Sequence, residues 1–246
     1  MPVEFRADLH IHTCLSPCSE LSMTPARIVE RAASLGINII AICDHNTAEQ
    51  VEVTGSLAKK KGIKVMAGLE INSSEEVHIL SLFGKLKDAL DMQSVVYENL
   101  QPGENNEDVF GMQVLVNGDD EVLGFNKRLL IGATGLSVNR IVELIHSFNG
   151  LAIASHIDRE GFGIIGQLGF IPEGADFDAL EISYRTSKAK ALELFGLYTH
   201  IPWITSSDAH SLEDIGRKTT GFVMEHATFE ELCMAISGIG GRRIIF

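Results

Sequence analysis

Four cysteines in 246 residues are too few for a disulfide framework, and no leader-like segment precedes the opening "VEF", so a reducing cytoplasm is the expected compartment. No apolar stretch approaches the roughly 20 residues that a membrane helix needs, and "INIIAIC" at 37–43 has the length of a strand. Basic residues are scarce too: 20 Lys and Arg stand against 33 Asp and Glu, a net charge of −13, with local runs only in "AKKKG" (58–62) and the terminal "GRR". That excludes a broad surface tracking a phosphate backbone. Neither a membrane nor an extended duplex is therefore expected as a partner, and an anionic substrate would need another source of positive charge.

What is present is an ordinary globular composition, 45% hydrophobic and 22% charged, long enough for two small domains or one large α/β barrel. The pattern alternates. "VEFRADL" predicts a strand, "MTPARIVERAASLG" a helix with Thr24 as N-cap, Pro25 at its first position and Gly36 at its end, and "INIIAIC" a second strand. A helix over 47–61, strands at "IKVMAGLEI" and "VHILSLFG" and a helix over 85–100 follow, the apolar strands predicting a largely parallel sheet. Regularity fails over 101–135, where two apolar runs around "NGDD" predict a hairpin inserted in the frame, with positive φ at the Asn-Gly turn. Helix "SVNRIVELIHSFNG", strands "LAIAS" and "FDALEIS", a helix over 187–198, strands "PWITSS" and "TTGFVME" and helix "TFEELCMAIS" complete the chain. Seven or eight strands without a linker or repeat predict a single barrel domain over 1–246.

Polar residues gather at strand ends. Asp8, His10 and His12 alternate along the first strand, which would turn all three to one face. Asp44 and His45 end the second strand, Glu70 the third, His156 follows "LAIAS", and Asp208 and His210 follow "PWITSS". His78 begins its apolar run, so its place at the barrel mouth is less defined. Singly, each has a plain structural explanation: a satisfied histidine pair, a helix cap, a rim charge. Together, six of nine histidines and three acids meet at strand boundaries, which a β/α barrel gathers at one mouth. Imidazoles with carboxylates suit Zn, Mn or Fe, and so many groups imply several ions with a bridging acid. Clustered cations would also supply the missing positive charge.

The ordered motifs "DLHIHTCLSPC", "AICDHN", "GLEIN" with "EVHIL", "IASHID" and "SSDAH" resemble the PHP (polymerase and histidinol phosphatase) family, from about Asp8 to Arg217. The resemblance implies a distorted (β/α)7 barrel holding two or three divalent ions and cleaving phosphoesters. It implies a first metal on His10, His12, Glu70 and Asp208, a second on Glu70, His78 and His156, and a third on His45 and His210, with Asp8 and Asp44 orienting histidines. Many relatives place a histidine where this chain has Cys18; as a thiolate Cys18 would bias that position toward zinc, and as a plain loop thiol it would have no role. Cys14, Cys43 and Cys233 read as core thiols, and His146, His200 and His226 as structural or surface residues.

Arg159 and Arg185, in loops after strands, are candidates to hold phosphate oxygens or are solvated charges; Glu181 would bind substrate or form a rim salt bridge. No nucleophile elbow or GxxxxGKS loop is visible. The expected function is metal-dependent hydrolysis of a small phosphomonoester, a nucleotide or the end of a short oligonucleotide. The rival is a non-catalytic module whose ions brace the barrel while it binds a partner, against which stands the closed four-ligand form of most structural zinc sites.

Overall fold

Thr24 starts the first helix as its sequence directs: its side chain accepts from Arg27 N, Pro25 follows, Ile28, Val29 and Ala32 turn inward, and Gly36 leaves the helix with φ +65°. In the computed structural model, which describes residues 1–246, the order is β1 (Val3–Ile11), α1 (Pro25–Ser34), β2 (Ile39–Ile42), α2 (Val51–Lys59), β3 (Lys64–Asn72), β4 (His78–Phe83), α3 (Leu86–Asn99), α4 (Glu107–Phe110), β5 (Val114–Val116) and β6 (Val122–Phe125). Then come α5 (Val138–Ser147), β7 (Leu151–Ala154), α6 (Ile164–Leu168), β8 (Ala179–Ile182), α7 (Lys188–Phe195), β9 (Trp203–Thr205), β10 (Thr220–Met224), α8 (Phe229–Ile236) and β11 (Arg243–Ile245). The short helices α4 and α6 and the last strand were not expected from the sequence.

The main sheet runs β11-β10-β1-β2-β3-β4-β7-β8-β9. Its two flanks meet again where Ile11 bridges Ala209, with His12 N donating to Ala209 O (3.0 Å) and Ala209 N to His10 O (3.2 Å). Seven strands, β1 to β4 and β7 to β9, thus make a nearly closed ring, and β10 and β11 continue the sheet from β1, with Phe222 and Met224 of β10 buried in its inner cluster.

The sheet is mixed, which corrects the expectation of a mainly parallel one. β1-β2-β3 and β7-β8-β9 are parallel, but β4 runs antiparallel to both β3 and β7. The reason is the connection: only residues 73–77 separate β3 from β4, far short of the dozen or so that a parallel crossover needs. The reversal brings His78, opposite Asn72, to the same end as the C-termini of the parallel strands. It also means that the ring is not seven successive βα units.

Ring strands fill the interior with Leu9, Cys43, Met66, Leu80, Ile153 and Ile204, all at most 1% exposed, and α8 joins this cluster through Leu232 and Ala235. α8 lies at the end away from His78, since a Cβ at Gly84, just past β4, would meet Phe229 at 2.9 Å. A larger core packs the outer faces of the strands against the helices. The 101–135 segment does hold a hairpin, Val114 pairing with Phe125. Its positive φ falls on Asp120 (62°) rather than on Asn-Gly; Asn117 instead accepts from Asp119 N and Glu121 N through its side chain. The insertion is tied to the mouth by Val114 N to Cys14 O (3.0 Å) and Asn46 Nδ2 to Leu130 O (2.8 Å).

Candidate metal centre

Strand ends converge as the barrel requires. β1 carries His10 and the residue after its end, His12; the turn after β2 carries His45; Glu70 lies near the end of β3, and His78 starts β4. His156 follows β7, and Asp208 and His210 follow β9. His156 (φ 28°) and Asp208 (φ 50°) hold left-handed backbone conformations rare outside glycine, a strain that clusters at functional sites.

Glu70 is the hub. Its Oε1 lies 3.3 Å from His10 Nε2, 3.1 Å from His78 Nδ1 and 3.2 Å from His156 Nε2, and its Oε2 lies 3.4 Å from His12 Nε2 and 3.3 Å from His45 Nδ1. Asp208 Oδ1 is 3.4 Å from both His10 and His12 Nε2 and 3.6 Å from His210 Nδ1. Yet Glu70 Oε1 forms no hydrogen bond, and neither does His156 Nδ1. Donor atoms about 2.0–2.1 Å from a tetrahedral zinc lie about 3.3–3.4 Å from one another, so these spacings are those of ligands around a shared ion. The residues fit metal.

Three groups emerge whose ligand atoms lie within 4.8 Å of one another: His10, His12 and Asp208; His45, Glu70 and His78; and His12, Cys18, His45 and His210. His45 and His12 therefore border two groups each, a more shared arrangement than the expected partition. Cys18 is exposed as a residue, but its Sγ belongs to the third group.

Second contacts set which ring nitrogen is free. His10 Nδ1 meets Glu181 Oε2 at 3.0 Å, leaving Nε2 toward the cluster, and Glu181 also accepts from His156 N (3.1 Å). Glu181 is 1% exposed, so it is neither a substrate group nor a rim salt bridge. His12 Nδ1 meets Ser16 Oγ (3.0 Å), which donates to Asp44 Oδ1 (2.7 Å); Asp44 thus acts on a histidine through Ser16. Asp8 touches no histidine side chain. Its carboxylate accepts from Ser207 N and Gly216 N, both 2.9 Å, because the β1–β2 register shifts between Asp8 and Ile11 and breaks the simple alternation. His78 stacks on Phe162, centroids 4.4 Å apart.

Arg159 pairs with Asp208 Oδ2 at the mouth. Arg185 donates to Tyr184 Oη (3.0 Å) and shares a cleft of about 370 Å³ with Arg159. Arg217, which no sequence pattern singled out, donates from Nε to Ser207 O (2.8 Å) and from Nη2 to Asp208 O (3.0 Å), with its Cζ 3.4 Å above the Tyr184 ring.

Burial opposes charge on Glu70, but His78 and His10 reverse this and hold its carboxyl well below the usual range. Burial likewise opposes a proton on His10, yet Glu181, Glu70 and Asp208 carry its pKa well above normal; His12 rises to about 9 through Asp208 and Glu70. Burial lowers His45 and takes His210 down to about 4. Burial, then Glu70 and Asp208, push the Cys18 thiol up. The carboxylates around them thus favour positive charge at His10 and His12.

Comparison with known proteins agrees. The family model for the PHP domain matches residues 8–162, and one described as PHP-associated matches 197–238. A 5′-3′ exoribonuclease of Haemophilus influenzae is 26% identical over 188 residues, covering 61% of this chain and 68% of that protein. The lesion-specific endonuclease of Pyrococcus furiosus has the same fold, with a TM-score of 0.75 at 20% identity over 99% of this chain. Endonuclease Q in complex with a 27-mer duplex, an abasic lesion at its active site, gives 0.74 at 21% identity over 98%. This chain spans 58% of the length of either endonuclease structure. With the PHP match spanning more than half the sequence and most of the donor cluster, the chain belongs to the PHP domain family of metal-dependent hydrolytic enzymes.

Proposed function

We propose that this chain hydrolyses phosphoester bonds of nucleic acids or nucleotides with two or three divalent ions, Zn, Mn or Fe. The observation that carries the reading is Glu70, whose two oxygens face five imidazole nitrogens at 3.1–3.4 Å. His10, His12, Glu70 and Asp208 would hold one ion, Glu70, His78 and His156 a second, and His45, His210 and Cys18 a third, with His12 on the border of the last set. Bound ions supply Lewis acidity, activating water and neutralising charge on phosphate oxygens. The chain's own part is to fix the donors: Glu181 and Ser16 orient His10 and His12, and Asp44 and Asp8 brace Ser16 and the 207–216 loop. Arg159, paired with Asp208, would meet a phosphate oxygen at the mouth, and Arg185, which lines the same cleft, would assist it.

The exoribonuclease relative and the endonuclease neighbours support a nucleic-acid substrate over a small monoester. Endonuclease Q, of the same fold, was crystallised with a duplex, so a duplex belongs among the substrates to test. The matched 197–238 segment supplies β9 and β10 of the main sheet, which supports residues 1–246 acting as one barrel domain. No helix is long and apolar enough to cross a membrane.

The test is a substrate panel, with and without Mn²⁺ or Zn²⁺: a single-stranded oligoribonucleotide, a duplex with an abasic site, and a nucleoside monophosphate. Metal-dependent cleavage of one of the nucleic acids is expected. Metal-loaded protein inert on all three would return the non-catalytic binding module as the better reading.

A further inference from the structure

In a chain of net charge −13, four cations around one cavity with no carboxylate side chain in its walls call for a ligand. Arg6, Lys188, Arg217 and Lys218, with Thr205 and Thr219, line a cavity of about 320 Å³. It lies at the seam between β1 and β9, where the Ile11–Ala209 bridge is the joint and no helix intervenes between β9 and β10.

Arg6 is held in place by neutral acceptors. It donates to Thr219 Oγ1 (3.0 Å), Leu35 O (2.8 Å) and Gly216 O (3.3 Å). Lys188 Nζ donates to a main-chain oxygen of Phe246, the last residue of the sequence (3.1 Å), and Lys218, half-buried, has no ion-pair partner. Arg217 pairs with the Asp214 carboxylate. Carbonyl and hydroxyl dipoles fix a guanidinium without cancelling its charge, so positive potential is left over.

Thr205 gives an independent sign. It is 4% exposed, and its backbone is satisfied by the Thr220 hydroxyl, at 2.8 Å from its N–H and 2.7 Å from its carbonyl. Its own Oγ1 has no partner. Buried hydroxyls are almost always bonded, and Thr205 is one of the residues lining the cavity that Arg6, Lys188, Arg217 and Lys218 surround.

We propose that the seam cavity binds a phosphate group. A tetrahedral anion with several acceptor oxygens satisfies guanidinium and ammonium donors from different walls at once, and it also gives the Thr205 hydroxyl an acceptor. Arg217 spans the gap to the metal centre, because the guanidinium that lines the cavity also holds the Asp208 carbonyl. The site is separate from the donor cluster and does not depend on which phosphoester is cleaved. Two sources carry this chemistry, a backbone phosphate of a nucleic-acid strand and a free phosphate ion.

The experiment is a calorimetric titration with inorganic phosphate of the metal-loaded full chain, Lys218→Glu, Thr205→Val and the His10→Ala/His12→Ala double variant. Expected is a binding event that persists in the double variant, weakens about tenfold or more in Lys218→Glu and weakens several-fold in Thr205→Val. Thr205→Val, which removes an unbonded buried hydroxyl, keeps or raises the melting temperature, so its loss of binding is not a loss of fold. Phosphate binding that vanishes in the double variant and ignores Lys218→Glu belongs to the metal centre alone and overturns the proposal, as does no binding to wild type. A single-stranded oligonucleotide sorts the source: weakening by Lys218→Glu together with competition by phosphate assigns a backbone phosphate. Oligonucleotide binding indifferent to Lys218→Glu, with inorganic phosphate still sensitive to it, assigns the free ion.

Discussion

Glu181 and His10 meet at 3.0 Å beneath the barrel mouth, carboxylate oxygen against Nδ1, with both side chains at most 1% exposed. The contact fixes the tautomer that turns His10 Nε2 to the donor cluster, and it raises the basicity of that nitrogen. Glu181→Gln keeps an acceptor but removes the charge. It should weaken metal affinity about 10- to 100-fold while the protein stays folded. Metal titrations on both proteins check this, and unchanged affinity would make Glu181 a packing residue only.

Changing His10 and His12 together to Ala should strip at least one ion and lower hydrolysis by at least about 10³-fold, since both the activation of water and the charge stabilisation are lost. Metal content, melting temperature and rate are measured on the same preparation. Full metal content with full rate would reject both residues as ligands.

Cys18 offers a spectroscopic test. Its Sγ stands with ring nitrogens of His12, His45 and His210, all within 4.8 Å. Protein loaded with Co²⁺ should show a thiolate charge-transfer band that is absent from Cys18→Ser, and Cys18→His should shift preference from Zn²⁺ toward harder ions. Wild type without the band would leave Cys18 a loop thiol.

Metal-free protein should lose stability as pH rises from about 6.5 to 9. In the folded state burial opposes a proton on His12, but Asp208 and Glu70 raise its pKa to about 9 from 6.5, and His10 is raised in the same sense. A proton bound more tightly when folded stabilises fully below the unfolded value and is lost as pH passes the folded one. Chelator-treated protein is therefore expected to melt lower at pH 9 than at pH 6.5. Saturating metal, which displaces those protons, should flatten the difference. A flat profile without metal would contradict the electrostatic reading of the cluster.

Residues whose role is set locally were legible in the sequence. The Thr24-Pro25 cap, the His-x-His at the end of β1 and the ordering of acids and histidines at strand ends all follow from spacing within one element. Contacts between distant elements were not. Glu181 reaches His10 across 171 residues, and nothing near "ALEIS" announces it. Asp8 shares the period of His10, yet the register shift turns it to the 207–216 loop. An apolar run carries no direction, so β4 read like its neighbours; the five-residue link at 73–77 held the signal, being too short for a crossover. His78 gained its place at the mouth from that reversal.

The joint between Ile11 and Ala209 also sets a timetable for synthesis. His10 and His12 leave the ribosome well before Asp208 and His210, which lie on the other side of that joint. Until they emerge, the nascent chain displays imidazoles and the Glu70 carboxylate without the partners that complete the donor set. The ring can therefore close, and its full metal complement load, only after residues 208–210 have emerged, which puts these longest-range contacts late in folding.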